Sequence, residues 1–227
     1  MTGLRIEDLT PEERAAEVAL HRPLADAVRG LVDATIRTTV DDDEVRAVTA
    51  EVEALVARLR ARQLDGAFGV RYAHDGPPRN HGNAVVGLRN AVAPPLEIVR
   101  DREAMTARAE FELGAAYEGP DGLVHGGVSA LVLDQVAGEA ASLGGSPGMT
   151  GTLTLRYRRG TPLGRLTAEA RIDRVEGWKT FVTGHLGDAE GPTVEFEAVF
   201  VTPRWARALM ERDRQGRGTR EAPDRFE

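Results

Sequence analysis

The triplet His125-Gly126-Gly127 and, seven positions beyond it, Asp134 are the residues of this 227-residue chain best placed to do chemistry. Two glycines at a helix start leave backbone N–H groups without intrahelical partners and without side chains that would hold a ligand away. That is the making of an anion or oxyanion site. The plainer alternative is a helix start where glycine permits tight packing on a strand. Asp134 lies between Leu133 and Val136 in Val128–Ala141, the most apolar helical stretch of the chain. A carboxylate in such a stretch is paired or at work. Gly127 precedes it by seven residues and Gly138 follows by four, so it sits in a trough of missing side chains that can admit a ligand. The alternatives are a solvated edge or an arginine partner.

These residues need elements to hold them. Met105–Phe111 alternates apolar and polar residues, as a half-buried strand does, and so do Gly151–Tyr157, Leu166–Ile172 and Val194–Phe200, with Trp178–Leu186 looser. Val128–Ala141 is apolar nearly all round and stops at Gly144-Gly145, so it reads as a helix that must be covered on most faces. The expected order is strand, strand, buried helix, then four strands in a meander. The expected class is α+β, an antiparallel sheet curled around a central helix.

Three further stretches flank this region. Residues 1–65 read as a helical N-terminal segment. Thr10-Pro11-Glu12-Glu13 is a capped helix start, and Val45, Val48, Val52, Leu55, Val56 and Leu59 recur at helical spacing. Residues 66–82 hold Gly66, Gly69, Gly76, Pro77, Pro78 and Gly82 and read as a linker or loop before a domain at 83–203. Residues 204–227 read as a charged tail.

Composition removes whole function classes. A net charge of −7 argues against a nucleic-acid surface, and the absence of cysteine excludes disulfides, zinc thiolates and a thiol nucleophile. No apolar run is long enough to span a bilayer, and the acidic, mixed start is no secretion signal. The expectation is a cytoplasmic protein that binds neither nucleic acid nor membrane. Basic residues are 28 arginines and one lysine, a codon-level bias that makes surface arginine weak evidence of phosphate binding. His74, Asp75 and His81 fall in the Gly/Pro-rich loop without metal-ligand spacing, so no metal is expected. No Gly-x-Ser-x-Gly elbow or Walker motif is present.

Gly122-Leu-Val-His125-Gly126-Gly127-Val-Ser-Ala-Leu-Val-Leu-Asp134 resembles the signature of the PaaI-like, hotdog-fold acyl-CoA thioesterases of the phenylacetate pathway. In that family an HGG motif opens the central helix and an acid follows nine residues after the histidine. Downstream, Gly148-Met-Thr150 through Tyr157-Arg158-Arg159-Gly-Thr-Pro162 resembles the family's next segment, and the two motifs occur in the right order over about 83–203. The resemblance implies a hotdog fold and hydrolysis of an acyl-coenzyme A to free acid and CoA, without a cofactor. It implies that the Gly126 N–H, supported by Gly127, polarises the thioester carbonyl. Asp134 would activate water or attack directly, Thr150 would orient the water or the acid, and His125 would shape the loop. Arg158 and Arg159 would lie near the CoA phosphates. One departure stands out: some relatives carry Asn or Gln six residues before the histidine as a second oxyanion donor, and this chain has Gly119.

Two other functions compete. A non-catalytic acyl-CoA sensor would want a basic face for DNA and would be expected to lose the acid, whereas residues 1–65 are acidic and Asp134 is present. A hotdog hydratase or dehydratase would use a catalytic histidine in differently spaced motifs, which are absent. Helix geometry adds an expectation about assembly. Gly126 and Asp134 are eight residues apart, about 12 Å along a helix axis. One helix cannot bring both to one carbonyl, but two antiparallel helices about a two-fold axis can. Self-association as a dimer or dimer of dimers, with shared sites, is therefore expected.

Overall fold

The computed structural model describes residues 5–74, 78–94, 96–145, 148–204 and 206–207. They group into two compact units, one of Met1–Leu96 with Glu112–Glu118, the other of Glu97–Phe111 with Gly119–Glu227.

In the first unit, helix α1 (Pro11–Arg37) begins as the sequence predicts. The Glu13 N–H donates to Thr10 Oγ1 at 3.2 Å while Glu13 Oε2 accepts from the Thr10 N–H at 2.8 Å, a reciprocal capping box with proline at the first turn. Helix α2 (Asp42–Arg60) is capped by Asp41, whose side chain accepts from the Glu44 N–H at 2.9 Å. The stretch at 66–82, where the sequence suggests a linker, is tied to α1 by charge. Strand β1 (Arg5–Ile6) pairs in parallel with β2 (Arg71–Tyr72). Arg79 donates to Glu17 at 2.6 Å and to Glu7 at 2.5 Å, and Arg71 to Glu7 at 2.7 Å. The Arg71 guanidinium lies 4.0 Å from the centre of the Phe68 ring, on which His81 stacks. Further along, Arg29 of α1 donates to the carbonyls of Ala93 and Asn90 at 3.0 and 3.1 Å.

The second unit is an antiparallel sheet against one helix. Its strands are β3 (Ile98–Asp101), β4 (Thr106–Leu113, whose last two residues fall in the first unit), β5 (Met149–Tyr157), β6 (Gly164–Glu176), β7 (Lys179–Asp188) and β8 (Gly191–Val201). The spatial order is β3-β4-β6-β7-β8-β5. The expected four-strand meander is thus corrected: only β6, β7 and β8 follow one another. β5 passes to the far edge and pairs with β8, from Met149 opposite Val201 to Tyr157 opposite Val194. Helix α3 (Gly126–Ser142) packs on this sheet through Val132, Leu133, Val136, Ala137 and Ala140, against Leu166, Ala168 and Ala170 of β6, Val182 of β7 and Phe196 and Phe200 of β8. Alanines on both faces let helix and sheet approach closely, as native packing density requires.

Candidate active site

The face of α3 that packs on the sheet leaves the opposite face open. Gly127 and Leu131 are exposed, the latter by 42%, and Asp134 beside them is half-buried. The expected covering of α3 is largely met within the single chain, and what stays open is a strip through Gly127 and Leu131. Asp134 is accordingly not enclosed by its neighbours.

Asp134 has one side-chain partner among the described residues. Thr150 donates from Oγ1 to Asp134 Oδ1 at 2.8 Å. The backbone aims this hydroxyl. The β5–β8 register shifts between Thr150 and Thr152, so Gly151 is an extra residue that bends the strand beside Thr150. A Cβ at Gly151 would come within 3.0 Å of the Val201 side chain, so glycine is what fits this bulge. Thr150, proposed for the site only by resemblance, is therefore brought to Asp134 from another element.

The helix entrance is built more tightly than its sequence suggests. His125 is the N-cap of α3, and its ring Nδ1 accepts the Gly127 N–H at 3.0 Å. Gly127 thus spends its N–H on the cap and has no free donor for a ligand, a correction to its expected supporting role. The Gly126 N–H has no partner among the described residues, while the Gly126 carbonyl accepts from the Tyr157 hydroxyl at 2.8 Å. A Cβ on Gly126 would lie 3.4 Å from the Tyr157 ring. Tyr157 is the positioning residue that sequence reasoning missed. Its place at the end of β5 is legible in the sequence, but its reach back to the helix entrance is not.

Gly119 explains the missing second donor. A Cβ there would stand 2.7 Å from the His125 Cα, so no side chain fits while the loop keeps this path. The loop closes through the Gly119 N–H to the Leu123 carbonyl at 2.8 Å.

Arg158 and Arg159, the candidates for CoA phosphates, are already occupied. Arg158 donates twice to Glu195 Oε2, at 2.8 and 2.6 Å. Arg159 forms a two-pronged pair with Asp188 and donates to the Gly191 carbonyl at 2.9 Å, bracing the β7–β8 turn. Its hydrogen bonds hold the Asp188 carboxyl down at about 2. A phosphate would have to displace a carboxylate from either arginine, which weakens their expected role. Of the loop residues weighed for a metal, His74 pairs with Asp8 at 2.8 Å, His81 lies against Phe68, and Asp75 falls outside the described residues.

Among the described residues no helix is long and apolar enough to cross a membrane. Residues 121–195 match the sequence model of the thioesterase superfamily, the stretch that carries the α3 entrance, Asp134 and Thr150. Acyl-coenzyme A thioesterase THEM4 of Xenopus laevis is 30% identical over 89 residues, 39% of this chain and 40% of that protein. Human acyl-coenzyme A thioesterase THEM5 is 28% identical over 94 residues, 40% of this chain and 38% of that protein. The chain thus spans about two fifths of the length of the curated relatives it matches. Agreement with the crystal structure of a thioesterase superfamily protein is broader: 34% identity and a TM-score of 0.71 over 79% of this chain and 94% of that one. A likeness of that extent shows that this chain belongs to the thioesterase superfamily.

Proposed function

We propose that this protein hydrolyses the thioester of an acyl-coenzyme A to the free acid and CoA. The observation that carries the reading is the Asp134 carboxylate on the open face of α3, with one oxygen held by the Thr150 hydroxyl at 2.8 Å. Thr150 fixes Oδ1 and leaves Oδ2 to take a proton from water. The water oxygen then bonds to the thioester carbon, and the developing oxyanion is met by the free Gly126 N–H, aided by the positive end of the helix. When the tetrahedral intermediate collapses, the C–S bond breaks, the CoA sulfur leaves with the proton that Asp134 took from water, and the Asp134 carboxylate is restored for the next water. His125 and Tyr157 touch neither water nor thioester in this scheme. They hold the entrance, one through the Gly127 N–H and the other through the Gly126 carbonyl.

Gly126 and Asp134 of one helix are about 12 Å apart, too far to act on one carbonyl. The proposed site therefore combines the Gly126 end of one chain with Asp134 of a second. The open face of α3 and the exposed edge strand β5 support this reading, since an unpaired edge is a template for a further strand.

The test mixes two inactive variants. Asp134→Asn removes the proton acceptor and is expected to lower the rate by about 10²–10⁴. Gly126→Pro removes the oxyanion donor. Each homodimer should be inactive, and mixed dimers should regain one working site of two. Wild-type-like turnover by Asp134→Asn on acyl-CoAs of graded length would overturn the catalytic assignment. Heterodimers that form but stay inactive would overturn the sharing.

A further inference from the structure

The most conspicuous unexplained surface lies in the first unit. Helix α2 has no buried residue, yet it carries an apolar stripe of Val45, Val48, Val52, Leu55 and Leu59. The spacing of these five alternates three and four, the seam pattern of a two-helix coiled coil. Val45, Val48, Leu55 and Leu59 are 45, 38, 51 and 55% exposed. The N-terminal half of the stripe lines an apolar groove of about 410 Å³ whose other wall is Leu31, Ala34 and Thr35 of α1. The alanines, leucines, glutamates and arginines of α2 favour a helix and its four valines less so, but in proteins most helical stability comes from packing an apolar face. Among the described residues nothing buries this face, so the stripe calls for a surface that covers it.

We infer that this surface is α2 of a second copy of the same chain, packed antiparallel about a two-fold axis. Charge selects both the partner and the direction. The first turn of α2 carries Asp42, Asp43 and Glu44, and the last carries Arg58 and Arg60. That polarity also suits the helix's own macrodipole, but the macrodipole does not cover the stripe. Parallel pairing would set acid on acid and base on base. Antiparallel pairing sets each acidic end on a basic one, and Glu44 and Arg58, two heptads apart on the same flank of the seam, then meet twice by symmetry. Glu51, midway between them, meets its own copy, a like-charge contact that exposure and salt screen. Two helices about 28 Å long bury an area at the low end of specific interfaces. The groove adds to it, because the partner's Leu55 fits the space between Leu31, Val45 and Val48.

The absence of cysteine makes a direct test possible in the full chain. Glu44→Cys and Arg58→Cys are made separately, mixed under conditions that let subunits exchange, and oxidised mildly. The mixture should give a disulfide-linked dimer, neither variant alone should, and adding Val52→Asp to both should abolish the link. Cross-linking of each variant with itself would show parallel pairing and overturn the proposal. A mixture that stays uncross-linked, with both thiols titrating freely and helical circular dichroism unchanged, would show that something else covers the stripe. None of these readouts depends on thioester hydrolysis, so a failed catalytic reading leaves this test intact.

Discussion

Thr150 shows how one hydroxyl can be tested for what it acts upon. It touches Asp134 and no group placed to hold CoA, so its loss belongs to the chemical step. Thr150→Ala is expected to lower kcat by about tenfold or more, the worth of one hydrogen bond to a charged group, with KM little changed. Steady-state kinetics on one acyl-CoA decides it: an unchanged kcat with a raised KM would move Thr150 from orienting the carboxylate to binding substrate. Sequence alone marks Asp134 because an acid in an apolar helix is conspicuous. It does not mark Tyr157, whose value lies in a contact across 31 positions with a carbonyl that has no identity in the sequence. It also misassigns Gly127, because a backbone N–H seized by the preceding histidine looks like a free one until the ring is placed.

Strands and helices were mostly legible as types, and their neighbours were not. The period-2 stretches at 105–111, 151–157, 166–172 and 194–200 all fall on strands, from the second residue of the first onward, since strand side chains alternate between two faces. The placement of β5 beside β8 is invisible in either strand, because it depends on a crossover that no local pattern encodes. The β7–β8 turn offers a test at this scale. The carboxyl of Asp188 titrates at about 2 in the folded chain, held down chiefly by hydrogen bonds from Arg159, against an ordinary 3.8. A depressed folded value means that the pair stabilises the fold above about pH 4 and that the contribution fades as the pH falls towards 2. Asp188→Asn should therefore melt below wild type at pH 6, with the gap closing as the pH is lowered towards 2. Thermal melts along that series measure it, and a gap that does not change with pH would remove the ion pair as its cause.

At the scale of the molecule, the N-terminal region divides differently from its sequence pattern. Residues 1–65 look like one amphipathic appendage, yet α1 is bound to the segment at 79–93 through Glu17 to Arg79 and Arg29 to Ala93, while α2 buries no residue among those described. Arg79 carries most of this connection, with a side chain only 10% exposed between Glu7 and Glu17. Arg79→Ala would leave two carboxylates facing each other and is expected to cost about 2–4 kcal/mol. Chemical denaturation of the full chain reads that loss directly, and a cost below about 0.5 kcal/mol would mean that the network contributes no more than exposed pairs do. Truncation at residue 65 should be more damaging than disruption of α2 for the same reason.

On the proposed sharing, the open face of α3 would give the protein an unusual relation between amount and output. A site completed only by a neighbouring chain would leave every isolated chain idle, so turnover would count pairs of chains and not chains. Well below the dissociation constant for pairing, pairs vary with the square of chain concentration, and halving the protein should quarter the rate. Well above it, rate and protein should fall in step. Initial rates over a dilution series, with substrate held saturating, would show the bend between the two regimes. A cell holding this protein near that bend would set its hydrolytic output by small changes in how much of it is made, with no effector required.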